Sequence, residues 1–246
     1  MIDNHVHIGW YSDGYHSPKK VWQAEQEAGI DEIVVSSTST CAELYKPIVQ
    51  EMKELVRLGG SMIHPVLWLT PRMFHTNCRW ALPYLLHSGI KWDGIKLHWI
   101  AHREWYYNRK LLHNAMEVAR QLEIPVLLHS GEFKECHASV FKEIIMQYDD
   151  LSFVLAHGRP LDETIDVLYS CPNTFVDTAF MPTEDVKTLC DNEFTNRILF
   201  GTDAPINMLF YKDITTADYI KGCIAKLKET LTSQQFERIM QNKLYH

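Results

Sequence analysis

Apolar residues recur along this chain in two alternating rhythms. Short runs rich in aliphatic and β-branched residues, each closed by a polar or turn residue, span Ile2 to Ile8, Glu32 to Ser36, Met62 to Leu69, Gly94 to His98, Pro125 to Ser130, Ser152 to His157, Thr174 to Thr178 and Arg197 to Asp203. Continuous apolar runs of this kind fit strands buried on both faces. Between them, Val21 to Ala28, Ala42 to Leu58, Lys110 to Leu122, Ser139 to Tyr148, Glu163 to Tyr169, Glu184 to Cys190 and Ala217 to Leu231 carry apolar residues three and four apart, which predicts amphipathic helices. A polar helix over Ser233 to Lys243 follows.

The residues ending these strands are His7, Ser36, Trp68, His98, His129, His157, Thr178 and Asp203, separated by 21 to 32 positions. A strand, its loop, its helix and the return take about thirty residues, so eight such units predict an α/β fold, a (β/α)8 TIM barrel. The competing architecture, a doubly wound open sheet, would show fewer strands and a glycine-rich phosphate turn, which the sequence lacks. No linker, low-complexity tract or charge run divides the chain, so residues 1–246 read as one barrel domain.

Composition narrows the function classes. With 46% hydrophobic and 22% charged residues, the chain has material for a large core, and intrinsic disorder is excluded. The net charge of −7, with no basic stripe, gives no electrostatic footprint for nucleic acid. No apolar run reaches the roughly 18 residues of a membrane span, and the first residues lack the basic and apolar regions of a secretory signal. Six scattered cysteines without a C-x-x-C pair read as reduced thiols. The expectation is a cytoplasmic protein with a small-molecule partner, and with neither nucleic acid nor membrane as partner.

The polar residues gather where a barrel puts its chemistry. His5 and His7 stand two apart, so on a strand both imidazoles face one way. Near the strand's C-terminal end such a pair is half of a metal site; on an exposed strand it is a chance pair. Three other runs, ending at His129, His157 and Asp203, also close on a metal-ligand residue type. Each alone has an ordinary explanation, a hydrogen-bonded histidine or, for Asp203-Ala204-Pro205, a helix N-cap before proline. Together those explanations need four coincidences, and the joint pattern points to a metal site. Lys96 and His98 share a face of the fourth strand. Either Lys96 points inward, where an unpartnered ammonium is costly or driven neutral, or it points outward with its stem lying between helices.

With these residues in order, the chain resembles the amidohydrolase superfamily, in particular the amidohydrolase-2 branch of small metal-dependent barrels that includes aminocarboxymuconate-semialdehyde decarboxylase. The resemblance spans the chain. It is carried by Asp3-x-His5-x-His7-x-Gly9, Gly94-Ile95-Lys96-Leu97-His98, Pro125-Val126-Leu127-Leu128-His129, Ala156-His157-Gly158, Gly201-Thr202-Asp203-Ala204-Pro205 and the closing Phe236 to Asn242. It implies that His5, His7, His129 and Asp203 hold one divalent metal, zinc, with water in the open position. His157 would orient or deprotonate that water, and Asp203 would be both ligand and proton shuttle. In binuclear relatives the fourth-strand lysine is carbamylated and bridges two metals, which would place Lys96 on a second metal. In the mostly mononuclear branch Lys96 would instead stand by the substrate as a catalytic group.

The implied function is a metal-dependent hydrolase acting on a small, carboxylate-bearing amide, lactone or ester. A non-hydrolytic decarboxylase would use the same ligands. A DNase-like phosphodiesterase shares the His-x-His opening, but that family has a carboxylate where this chain has Lys96. A barrel that keeps its ligands without catalysis is the remaining reading. For substrate contacts, the loops offer His98, Arg103, Trp105 and Arg159, since Arg forks pair with carboxylates; the same rings could equally pack loop against helix. Arg159 stands where the family usually has glycine. Trp68 and His98 also read as residues filling the pocket or barrel, and His16, His87, His113, His137 and His246 read as surface residues. A chain this compact lacks long lid insertions, which leaves the pocket open or completed by a neighbouring subunit of a homo-oligomer.

Overall fold

A computed structural model describes residues 1–211 and 213–244. Its strands are β1 (Ile2–Tyr11), β2 (Gly14–His16), β3 (Glu32–Ser37), β4 (Ile63–Trp68), β5 (Gly94–Leu97), β6 (Val126–His129), β7 (Phe153–Ala156), β8 (Thr174–Asp177) and β9 (Ile198–Leu199). Its helices are α1 (Pro18–Glu27), α2 (Tyr45–Gly59), α3 (Ala81–Leu86), α4 (Glu104–Tyr107), α5 (Arg109–Leu122), α6 (Lys142–Gln147), α7 (Leu161–Ser170), α8 (Thr183–Asp191), α9 (Thr216–Thr230) and α10 (Ser233–Gln241). Every predicted strand and helix is present. The hairpin strand β2 and the short helices α3 and α4 are additions, too short to leave a periodic signal.

The nine strands form one sheet in the order β2-β1-β3-β4-β5-β6-β7-β8-β9, parallel throughout except for the β1–β2 hairpin. The sheet curls, so that β1 at one side meets the chain following β9 at the other. Asn4 N donates to Phe200 O (2.7 Å), Asp203 N to His5 O (2.8 Å) and His7 N to Ala204 O (2.7 Å). Val6 and Ala204 make a single parallel bridge there. This is a junction and not a full ladder. The predicted last strand, Arg197 to Asp203, is regular only over two residues, because past Leu199 the Gly201 N–H turns to the Thr178 side chain, and Asp203 is left-handed.

The helices lie outside and press apolar stripes onto the sheet. Ile48, Val49, Met52 and Leu55 do this on α2, and Leu112, Ala115, Met116 and Ala119 on α5. Each fully buried aliphatic side chain contributes about 1.5–3 kcal/mol, so these stripes hold the strands in register. Local chemistry sets the helix ends. Ser17 accepts from Lys20 N ahead of Pro18, and Thr232 forms a capping box with Gln235. The parallel arrangement brings all the C-terminal strand ends to one face, which is where the histidines converge. Among the described residues, no helix is long and apolar enough to cross a membrane.

Candidate active site

His5 and His7 lie on β1, both buried, and their rings are fixed from behind. His5 Nδ1–H donates to Asp177 Oδ2 (2.9 Å), at the end of β8. His7 Nδ1 lies 3.2 Å from Ser36 O and 3.0 Å from Ser36 Oγ, at the end of β3. Burial, with the Lys96 charge beside it, lowers His7 to about 4, so its ring is neutral at physiological pH. With Nδ1 protonated, the Nε2 of each ring presents a lone pair inward.

Lys96 is buried and points into the same space, which decides between its two sequence readings. Its Nζ donates to His5 Nε2 (2.9 Å) and His7 Nε2 (3.0 Å) and lies over the Trp68 ring. Burial lowers Lys96 to about 8, against the opposing pull of Asp203 and Asp177.

Asp203 completes the cluster. Its Oδ1 is 2.9 Å from His7 Nε2 and 3.5 Å from His5 Nε2, yet this buried oxygen has no hydrogen bond. The carboxylate oxygen and the two imidazole nitrogens face one another at ion-pair distance, with the Lys96 ammonium beside them. Burial raises the Asp203 carboxyl, but His5, His7 and His157 outweigh it and hold the group well below the usual carboxylate range. Asp203 does not spend its carboxylate as a helix cap, since the turn Ile206–Leu209 has no side-chain cap. His5, His7 and Asp203 thus form a buried group able to hold a cation, and His5, His157 and Asp177 form a second. The donor set fits a divalent metal: two imidazoles and a carboxylate with an orphaned oxygen.

His157 follows β7. Its Nδ1–H donates to Ala179 O (3.0 Å), and its Nε2 lies 3.9 Å from Asp203 Oδ2. Burial, then the neighbouring His129, lower it to about 3. His157 and Asp203 both have left-handed backbones, with φ of 70° and 60°. Non-glycine residues pay roughly 1–3 kcal/mol for such conformations, which persist where surrounding structure enforces them and cluster at active sites. Gly158 lets the β7 turn do this. A Cβ there would meet Val176 Cγ2 at 2.4 Å and Met181 Cε at 2.7 Å. Gly9 does the same for the His-x-His strand, because a Cβ would strike Ser39 Oγ, Ser37 Oγ and Glu51 Oε2 at 2.6–2.9 Å.

His129 lies on the same cavity but apart from both cation groups. Its Nε2 pairs with Glu132 Oε2 (2.9 Å), and its ring stacks on His98 at 3.7 Å, which stacks in turn on Trp68. The cavity measures about 590 Å³ and is lined by His7, Trp68, Lys96, His98, His129 and His157, among others, together with Asp203, Arg159 and Glu132. Of the loop residues expected at the substrate, His98 and Arg159 line it. Arg103 instead lines neighbouring clefts, and Trp105 is buried against Phe74. Of the histidines expected at the surface, His87 is exposed, His16, His113 and His137 are partly buried, and His246 lies outside the described residues.

Three residues were not singled out from sequence. Asp177 carries a signal, an acidic residue inside the apolar run Thr174 to Thr178, one position before that run's polar end. Ser36 was read as a strand end and nothing more. Glu132 carries no signal of its own, because its role arises only when the chain folds back.

A parallel α/β sheet whose C-terminal strand ends gather imidazoles and carboxylates around one cavity has the layout of an enzyme, and the family match makes it one of hydrolase type. The chain belongs to the amidohydrolase family, whose model matches residues 89–242. Among solved structures it is similar to a probable 2-pyrone-4,6-dicarboxylic acid hydrolase from Acinetobacter baumannii with citric acid bound (14% identity, TM-score 0.61, covering 97% of this chain and 98% of that one). It is also similar to amidohydrolase 2 from Bifidobacterium longum subsp. infantis (15%, TM-score 0.62, 98% of each chain). A third is 4-oxalomesaconate hydratase from Rhodopseudomonas palustris (16%, TM-score 0.63, 98% of this chain and 93% of that one). At these identities the likeness is one of fold. No curated protein matches the chain in sequence.

Proposed function

We propose that the chain is a metal-dependent hydrolase on a closed (β/α)8 barrel, directing a water nucleophile at a small amide, lactone or ester. The observation that carries this reading is Asp203 Oδ1, a buried carboxylate oxygen without a hydrogen bond that faces two imidazole lone pairs. Burying such a group is costly without cations beside it; Lys96 is one, and a metal held by the same nitrogens and carboxylate would be a second. His5, His7 and Asp203 would hold one divalent ion, with His129 completing the set that the family resemblance implies; nitrogen and oxygen donors suit zinc. When bound, such an ion supplies Lewis acidity and brings the pKa of water towards neutrality.

The chain's own residues supply the proton path. His157, neutral and with its Nδ1–H committed to Ala179 O, offers Nε2 as the acceptor that orients the attacking water. Asp203 Oδ2, 3.9 Å from that nitrogen, takes up the proton of the water and delivers it to the leaving group. Lys96 sets a positive charge beside the oxygen that becomes anionic.

The test is metal content by plasma mass spectrometry on untagged protein, paired with screens for acid release and for CO2 release. About one zinc per chain, lost in His5→Ala and Asp203→Ala with the circular dichroism unchanged, is expected, together with acid release. Near zero metal after zinc and manganese have been offered, or full activity in either variant, refutes the site. Near two ions would move Lys96 into a carbamate bridge, and CO2 release without hydrolysis would assign a decarboxylase.

A further inference from the structure

A charge pair also lines the cavity. Arg159 Nη2 donates to Phe180 O (2.8 Å), and Nη1 faces Glu132 Oε1 at 3.4 Å. The Arg159 stem lies against Gly131, where an added Cβ would touch its Cδ at 3.4 Å. Glu132 and Arg159 are each about a third exposed, Glu132 slightly more, so both reach the cavity.

From sequence, Arg159 suggested a fork for a substrate carboxylate. Its surroundings remove the reason for that expectation. Bidentate capture of a carboxylate needs two parallel N–H groups. Here one nitrogen is taken up by a backbone carbonyl and the other faces an acid. A second carboxylate docked on this guanidinium would also lie against Glu132 and be repelled. Lys96, the other cation of the cavity, is directed at His5 and His7. Among the described lining residues, then, each Lys or Arg has a counter-group. The other walls include the apolar Ile100, Phe180, Ile206, Leu209 and Phe210 beside the hydroxyl-bearing Tyr11, Thr38 and Tyr211, and about 590 Å³ suits a small molecule.

We propose that the Arg159–Glu132 pair reads an uncharged substrate edge on which an acceptor and a donor stand side by side, as in a carboxamide or ureido group, with the rest of the substrate apolar. The guanidinium donates to the carbonyl oxygen, and Glu132, whose Oε2 is paired with His129, accepts the neighbouring N–H at Oε1. This rests on the hydrolase reading for the cavity's being the substrate pocket. It sets the chain apart from the carboxylate chemistry printed for one of the similar structures, the probable dicarboxylic acid hydrolase with citric acid bound.

The test is calorimetric titration of phenylurea, benzoate and citrate into wild type, Glu132→Gln and Arg159→Gln, each in metal-stripped and zinc-treated form. The metal-stripped protein decides, because carboxylates can bind zinc directly. Wild type is expected to bind phenylurea about tenfold tighter than benzoate, with citrate weakest. Glu132→Gln frees the guanidinium charge and raises benzoate affinity about tenfold, while Arg159→Gln weakens phenylurea by a similar factor. Unchanged melting temperatures show that both variants fold. A wild-type preference for benzoate or citrate, an unchanged order in Glu132→Gln, or no binding by any probe overturns the proposal. A protein that takes up no zinc yet keeps the phenylurea preference would refute the metal reading and leave this one standing.

Discussion

Asp177→Asn is the most informative single change. Asp177 is fully buried, and its two oxygens do different work. Oδ2 accepts from His5 Nδ1 at 2.9 Å, while Oδ1 accepts from His157 N and Ala179 N, both at 3.0 Å. Burial raises its carboxyl, but His5 and His157 more than compensate, and the group sits below the ordinary carboxylate range. Asparagine can keep the two backbone bonds through its single oxygen. Its amide N–H groups then confront His5 Nδ1–H, donor against donor. The ring escapes by moving its proton to Nε2, which removes the lone pair from the cation cluster. Losing such an outer partner of a metal-ligating histidine typically costs 10–100-fold in affinity, about 1.4–2.7 kcal/mol. Zinc competition against a chromophoric chelator measures this, and nitrogen-15 NMR of the imidazoles reads the tautomer. The fold should lose little, whereas Asp177→Ala strands two buried N–H groups at about 1–3 kcal/mol each. If His5 changes tautomer in Asp177→Asn while zinc affinity stays within about twofold of wild type, the reasoning fails.

Two further outcomes test the framework around the site. Glu25 on α1 is buried with neither oxygen hydrogen-bonded among the described residues, and burial, then the charge of Asp3, raises its carboxyl well above its ordinary 4.5. The folded chain therefore keeps a proton that the unfolded chain releases, so stability falls as pH rises above about 4.5. Glu25→Met should remove Glu25's share of that slope, while Asp3, raised by burial to about 7, keeps the rest. It should leave stability little changed at low pH and raise the melting temperature by several degrees at pH 8; a gain confined to acid pH would contradict this. Gly158→Ala should cost about 2–4 kcal/mol in denaturant melts, since the new Cβ meets Val176 and Met181 in a left-handed backbone. A loss below about 1 kcal/mol would mean that the β7 turn relaxes freely.

Much of this was legible in the chain itself. Alternating apolar runs set the strands and helices, because buried parallel strands and amphipathic helices impose their periods locally. Parallel strands must place their C-terminal ends on one face, so His5, His7, His157 and Asp203 were foreseeable neighbours once the strands were found. Gly9 and Gly158 stood in motifs whose need for a missing Cβ only the packing explains. Contacts between distant segments were not legible. Asp177 reaches His5 across 172 positions, Ser36 reaches His7 across 29, and Phe180 holds Arg159 across 21. Whether Lys96 points inward, whether Arg159 is a free fork or one arm of an ion pair, and how the sheet edges meet at Val6 and Ala204 depend on those contacts. Periodicity records which face of an element is apolar, whereas hydrogen-bond partners, tautomers and charge balance depend on distances that exist only after the elements have packed.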